Sequence, residues 1–224
     1  MSAHVVVVST GVVRRLPWRG REVSTAIAKS PVSGRVDVGV LGPAGDEQGD
    51  QVNHGGPDKA VLLYPSEHYA AWAEEVGTLA IPGFGENLTT SGLLESDAVI
   101  GAVYAVGSVL LQVSQPRRPC FKLAARHDVG DMAVRTQRTG RTGFYCRVLR
   151  EGHLGAGDAM RLESAPSHGI TAAEVHRVIN VDRGDVAAAR HLLAHDGVLP
   201  ESWVRLLHRR REGLLEDQAA RLHG

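Results

Sequence analysis

Gln115-Pro116-Arg117-Arg118-Pro119-Cys120 sets one of only two cysteines just past an apolar, strand-like run, between prolines and beside two arginines. Such a cysteine is poor core filler. Two nearby cations favour the thiolate, the form that binds soft metals or attacks electrophiles. Cys120 is therefore the first candidate for a metal ligand and catalytic sulfur. Cys146, in Phe144-Tyr145-Cys146-Arg147-Val148, sits mid-strand and reads as a small buried hydrophobe.

A second group of residues suits an anion. His54-Gly55-Gly56-Pro57-Asp58-Lys59-Ala60 is a glycine-rich loop entering an apolar strand. Adjacent glycines let backbone N–H groups converge, with His54 and Lys59 as side-chain donors; the alternative is a tight turn capped by Asp58. The spacing matches neither phosphate-loop nor dinucleotide fingerprints. Gly83-Phe84-Gly85-Glu86-Asn87-Leu88 is a similar loop, in which Asn87 either binds a ligand or, with Glu86, only caps the turn. Only three of 25 basic residues are lysines, Lys29, Lys59 and Lys122, and all lie in these dense segments. Positions that keep lysine in an arginine-rich chain call for a compact, flexible ammonium. His191 and His195 have the i,i+4 spacing of a metal pair without an evident third ligand, and read as a solvated helix face.

The elements that must carry these groups change character along the chain. Residues 1–164 read as short strands between Gly and Pro turns: 4–9, 12–16, 35–41, 60–64, 87–90, 103–106, 109–114, 144–149 and 159–162. Gly107-Ser108 marks a two-residue hairpin turn. Ser66 opens a helix through Val76 with Tyr69, Trp72 and Val76 on one face, and a short helix follows Pro119 through Arg126. Many short strands and few helices predict a mainly β fold, a closed or nearly closed barrel. After a linker near residues 165–169 the period shifts to about 3.6. Thr171-Ala172-Ala173-Glu174 is a capping box opening a first helix to Ile179. Asp185 opens a second, with Val186, Ala189, Leu192 and Leu193 inward. A third is expected from Glu201 to Ala220, with Trp203, Leu206, Leu207, Leu214 and Leu215 inward. The expectation is a barrel domain, 1–164, and a small three-helix module, 169–224.

Composition excludes several classes. The 25 acidic and 25 basic residues balance, and residues 165–224 balance alone at eight each, which argues against a nucleic-acid binder. No apolar run approaches the ~18 residues that span a bilayer, and no export signal is evident, so a cytoplasmic protein is expected. Two thiols fall short of the roughly four that hold an iron–sulfur cluster. Redox work would need an external electron donor, a reductase or a ferredoxin-like protein.

Six ordered segments carry a resemblance over nearly the whole chain: Thr25–Val32, Gly45–Gln48, His54–Val61, Gly83–Leu88, Gln115–Cys120 and Gly140–Tyr145. The sequence resembles MOSC-domain proteins of the YiiM type, named for the C-terminal domain of molybdenum cofactor sulfurases. The resemblance implies a MOSC-type β-barrel followed by a three-helix module, binding the molybdenum cofactor. It implies that Cys120 ligates the metal and that the protein reduces N-hydroxylated compounds, such as hydroxylaminopurine bases and amidoximes, to amines. Lys29, His54, Gly55, Gly56, Lys59, Asn87 and Arg117 are the candidate cofactor cradle. The alternative is a carrier that delivers cofactor or sulfur without turnover. The helical tail makes a homodimer a candidate assembly. Three positions depart from the pattern: Ala102 stands where Asp is expected, Phe144 where Trp is, and Cys146 where an apolar residue is.

Overall fold

The computed structural model describes residues 2–49 and 55–224. In chain order the strands are β1 His4–Thr10, β2 Arg14–Trp18, β3 Arg21–Thr25, β4 Ser30–Pro31, β5 Arg35–Gly39, β6 Gly42–Pro43, β7 Val61–Pro65, β8 Leu88–Ser91, β9 Val103–Val106, β10 Val109–Pro116, β11 Phe144–Arg150, β12 Gly152–Gly155 and β13 Met160–Ser164. The helices are α1 His68–Val76, α2 Lys122–His127, α3 Met132–Thr139, α4 Ala172–His176, α5 Val186–Leu193, α6 Glu201–Arg211 and α7 Ala219–His223. Eight strands form one sheet in the order β13-β9-β10-β11-β7-β8-β1-β4. Its pairs are antiparallel except β7–β8. Among the described residues a three-stranded sheet, β12-β5-β6, and the β2–β3 hairpin stand beside it.

The expected barrel takes the form of a strongly curled sheet in a mixed α/β fold. A single antiparallel bridge, His4 to Ala159, brings β1 back to the approach of β13. Val5 N donates to Asp158 O at 2.9 Å and Met160 N to Ala3 O at 2.8 Å around that bridge, and among the described residues no longer ladder joins the two strands. Among the described residues no helix is long and apolar enough to cross a membrane.

The strand period of two sorts side chains into two layers. On β7, Val61 and Leu63 enter the main core while Tyr64 enters a second cluster with Trp72, Phe84 and Leu123. On β11, Phe144 and Cys146 enter the main core, so Tyr145 faces the other way. Cys146 is 1% exposed and its thiol is pushed well above the ordinary value by burial, as expected of a structural cysteine. The second cluster covers the outer face of the sheet, where α1 and α2 pack, with Phe84 stacked on Tyr64 at 4.2 Å between ring centroids. The expected α1 face is present: Trp72 is fully buried, and Tyr69 and Val76 pack on the same cluster.

The tail follows its caps. The Thr171 side chain accepts from Glu174 N at 3.2 Å, and Asp185 accepts from Ala188 N at 2.9 Å. The third helix is corrected: it stops at Arg211, and Leu214 and Leu215 are 52% and 54% exposed rather than inward. Gly213, at φ +77°, supplies the left-handed turn that ends a helix. Beyond it Glu216 accepts from Arg118 Nη2 at 3.1 Å and Arg210 Nη2 at 2.8 Å, and the chain restarts as α7. Val175, Ile179, Leu192, Trp203 and Leu207 belong to the same buried cluster as the sheet residues.

Candidate functional site

β10 ends where Pro116 and Pro119 remove ladder donors, and the chain turns outward. Cys120 follows, buried at 5% exposure, with its carbonyl accepting from Leu123 N at 3.0 Å as α2 begins. Neither cysteine is in a disulfide. The Cys120 side chain lines a cavity of about 80 Å³ on the outer face of the sheet. Lys29, Lys59 and Lys122 line the same cavity, so all three lysines of the chain converge on one place. Arg117, Asn87, Asp46, Tyr145, Phe84 and Leu62 share its wall.

Arg117 is the most informative of these. It is 5% exposed, and its Nη1 is buried without a hydrogen-bond partner among the described residues. A buried guanidinium donor left unpaired is costly unless an acceptor arrives. Its backbone is fixed by donation to Gly143 O at 3.0 Å. The Gly143 amide in turn donates to the buried Glu95 carboxylate at 2.7 Å, which also meets His68 Nε2 at 2.8 Å. Gly143 has φ +70°, and a Cβ there would lie 2.4 Å from Leu63 O, so the site requires glycine.

Lys29 and Asp46 form an ion pair with side-chain exposures of 7% and 8%. Burial pulls the Lys29 ammonium below its ordinary value, opposed by Asp46. Asp46 also accepts from Gly11 N and Asn87 Nδ2, each at 2.8 Å. Asn87 is thus engaged on both sides, since its Oδ1 accepts from Leu62 N at 3.0 Å. It shapes the cavity by holding Asp46. Glu86 is a loop brace, accepting from Tyr69 Oη at 2.5 Å and Phe84 N at 2.8 Å.

Other expected members stand apart. His54 lies outside the described residues. Gly55 and Gly56 do not reach the cavity wall, and the Gly56 amide donates to Gln48 Oε1 at 3.0 Å, so that N–H is taken. Arg118 turns to the tail, donating to Asn180 Oδ1 and Glu216 Oε1 at 3.1 Å each. The tail supplies another cation beside the cysteine: Arg221 donates to Pro119 O, and its carbonyl accepts from Phe121 N at 2.8 Å. Burial brings the Arg221 guanidinium down to about 10. His168 joins His191 and His195, with ring centroids 5.0 and 5.5 Å apart along the row. Among the described residues, however, no three His, Cys, Asp or Glu side chains are placed to hold a metal ion.

Cys120, Lys59, Lys122 and Tyr145 also line a second chamber of about 510 Å³. This chamber lies between the cysteine loop and the tail, with Trp203, Leu206 and Arg221 on its far side. Residues 50–161 match the model of the MOSC domain. Over 226 residues the chain is 39% identical to Protein YiiM of Escherichia coli (strain K12), covering 99% of both chains. The chain belongs to the MOSC family. Its fold agrees: the crystal structure of YiiM from Geobacillus stearothermophilus superposes with a TM-score of 0.78 at 33% identity, covering 93% of this chain and 98% of that one. A Gibberella moniliformis (strain M3125 / FGSC 7600) relative named "Reductase" is 38% identical over 165 residues, 71% of this chain but 29% of its own length.

The MOSC name refers to molybdenum cofactor sulfurases, and the site can be tested for that group. A pterin-phosphate group carrying its own metal ligands asks the protein for anion donors and one soft ligand. The orphaned Arg117 Nη1, the three lysines and the lone sulfur of Cys120 are such a donor set. The residues fit.

Proposed function

We propose that this chain is a molybdenum-cofactor-dependent oxidoreductase that reduces N-hydroxylated compounds, bases of the hydroxylaminopurine type and amidoximes, to amines. The observation that carries the reading is the place of Cys120, which lines both the lysine-walled cavity and the adjoining chamber. A group anchored in the first would present its metal to a substrate in the second. The name of the Gibberella relative supports a reductive activity.

In this reading Cys120 ligates the metal. Arg117 and the lysines hold the phosphate and neutralise its charge. When bound, the cofactor supplies two-electron chemistry with transfer of the hydroxylamine oxygen. The balance is R–NHOH plus two electrons and two protons giving R–NH₂ and water. Lys59 and Lys122 line both spaces, which makes them the nearest ammonium proton donors to the N–O oxygen. The electrons come from a separate reductase or ferredoxin-like partner, because two cysteines cannot hold a cluster of the usual kind.

The test is conversion of 6-hydroxylaminopurine to adenine by protein purified from a cofactor-producing host, with a chemical electron donor. Stoichiometric adenine is expected. Cofactor-loaded protein that gives no adenine and no amine from benzamidoxime would instead support the carrier reading.

A further inference from the structure

We infer that the 510 Å³ chamber receives the organic body of the substrate, and that Trp203 and Leu206 on α6 set which shapes it admits. The inference rests on the proposed reductase reading for the reaction, but the chamber itself is read from its walls. It meets the first cavity at Cys120, Lys59, Lys122 and Tyr145, so a molecule seated there has its reacting end at the sulfur. The first cavity, at about 80 Å³, has little room for a substrate once a cofactor phosphate enters. The second falls within the ~300–1,000 Å³ of ordinary small-ligand sites.

Its lining selects a chemical class. Phe121, Tyr145, Trp203 and Leu206 give flat apolar faces, and Gln115 and Ser202 add neutral polar groups. Among the described residues no carboxylate lines it, whereas Lys59, Arg118, Lys122 and Arg221 do. These walls suit a planar aromatic or heteroaromatic body without positive charge. Trp203 is a rigid wall, 5% exposed and packed in the main core. Leu206, one turn on along α6, is half-buried and packs on the edge of that core, so its size can change at less cost than that of Trp203. The tail is thus part of the site: the sulfur comes from the sheet side and the substrate wall from α6.

The test uses protein as purified from a cofactor-producing host. Adenine, the flat amine product, is titrated calorimetrically without electron donor into wild type, Leu206→Trp and Leu206→Ala. Wild type and Leu206→Ala are expected to bind adenine, and Leu206→Trp to bind at least about tenfold more weakly, at the low end of what one misfitting group costs. With electron donor, Leu206→Trp should raise the KM for 6-hydroxylaminopurine by a similar factor and leave hydroxylamine, which needs no chamber, within about twofold in kcat/KM. Equal adenine affinity in folded Leu206→Trp and wild type, or no binding to wild type, overturns the assignment. So does an equal loss with both substrates. Absence of turnover by wild type sinks the reductase reading instead, and the adenine titration still decides the chamber.

Discussion

Cys120→Ser is expected to abolish reduction of 6-hydroxylaminopurine while the protein stays folded. Losing a partner that merely orients a metal ligand costs about 10–100-fold; losing the sulfur that holds the metal should cost more, leaving activity at background. Serine is close to cysteine in size, and Cys120 lies at the edge of a cavity rather than in the main core. The melting temperature should therefore move by no more than about 4 °C, the equivalent of ~1 kcal/mol at this chain length. A Cys146→Ser control separates the two thiols: Cys146 packs within the core, so its loss should lower stability and leave turnover per folded molecule intact. Activity surviving in Cys120→Ser would remove the sulfur from the mechanism.

The second large effect is on stability, and its sign lies in an asymmetry. Asp46→Ala strands three groups at once: the buried Lys29 ammonium, the Gly11 amide and the Asn87 Nδ2. Removing one partner of a buried ion pair costs about 3–5 kcal/mol, which is roughly 10 °C in melting temperature. Lys29→Met leaves Asp46 with two donors still in place, so it should cost only about 1.5–3 kcal/mol, the range for a charged hydrogen bond. Denaturant melts of the two variants check the order. A Lys29→Met variant less stable than Asp46→Ala would mean that the carboxylate is not the hub of this loop.

What could be read from the sequence was mostly what is written locally. The prolines around Cys120 show that its strand must end there, and the choice of lysine in an arginine-rich chain marks three positions that do converge. The capping residues Thr171 and Asp185 start their helices as expected. Other features have no local signal. β4 and β6 are only two residues each, too brief for an alternating pattern, and β3 is almost wholly exposed, with only Thr25 buried. α3 carries Arg135, Gln137 and Arg138, so its single buried face is masked by polar neighbours. The expected long third helix continued through Gly213 because Leu214 and Leu215 kept its apolar rhythm. The turn is instead fixed by Glu216 reaching Arg118 and Arg210, contacts invisible in one dimension.

The site divides the same way. Asp46 lies in the segment Gly45–Gln48 with no local sign of a role, because its importance comes from donors 35 and 41 residues away. Tyr145 was hidden by being one residue from Phe144 and Cys146, and only the strand's alternation turns it outward. Arg221 reaches Pro119 across 102 residues of sequence, so nothing near either position announces that the tail grips the cysteine loop. Gly55 and Gly56 show the reverse: a cradle-like sequence that stands outside the cavity wall, with the Gly56 amide donated to Gln48.

The central claim is that Cys120 holds a cofactor-borne metal. Its most direct test is molybdenum and pterin content, by elemental analysis and by fluorescence of the oxidised pterin. Wild type and Cys120→Ser would be purified side by side from a host that makes the cofactor. About one molybdenum per chain is expected in wild type, and its loss in the variant, since the donor set offers a single soft ligand. No molybdenum in folded wild type, or equal molybdenum in both proteins, would contradict the account.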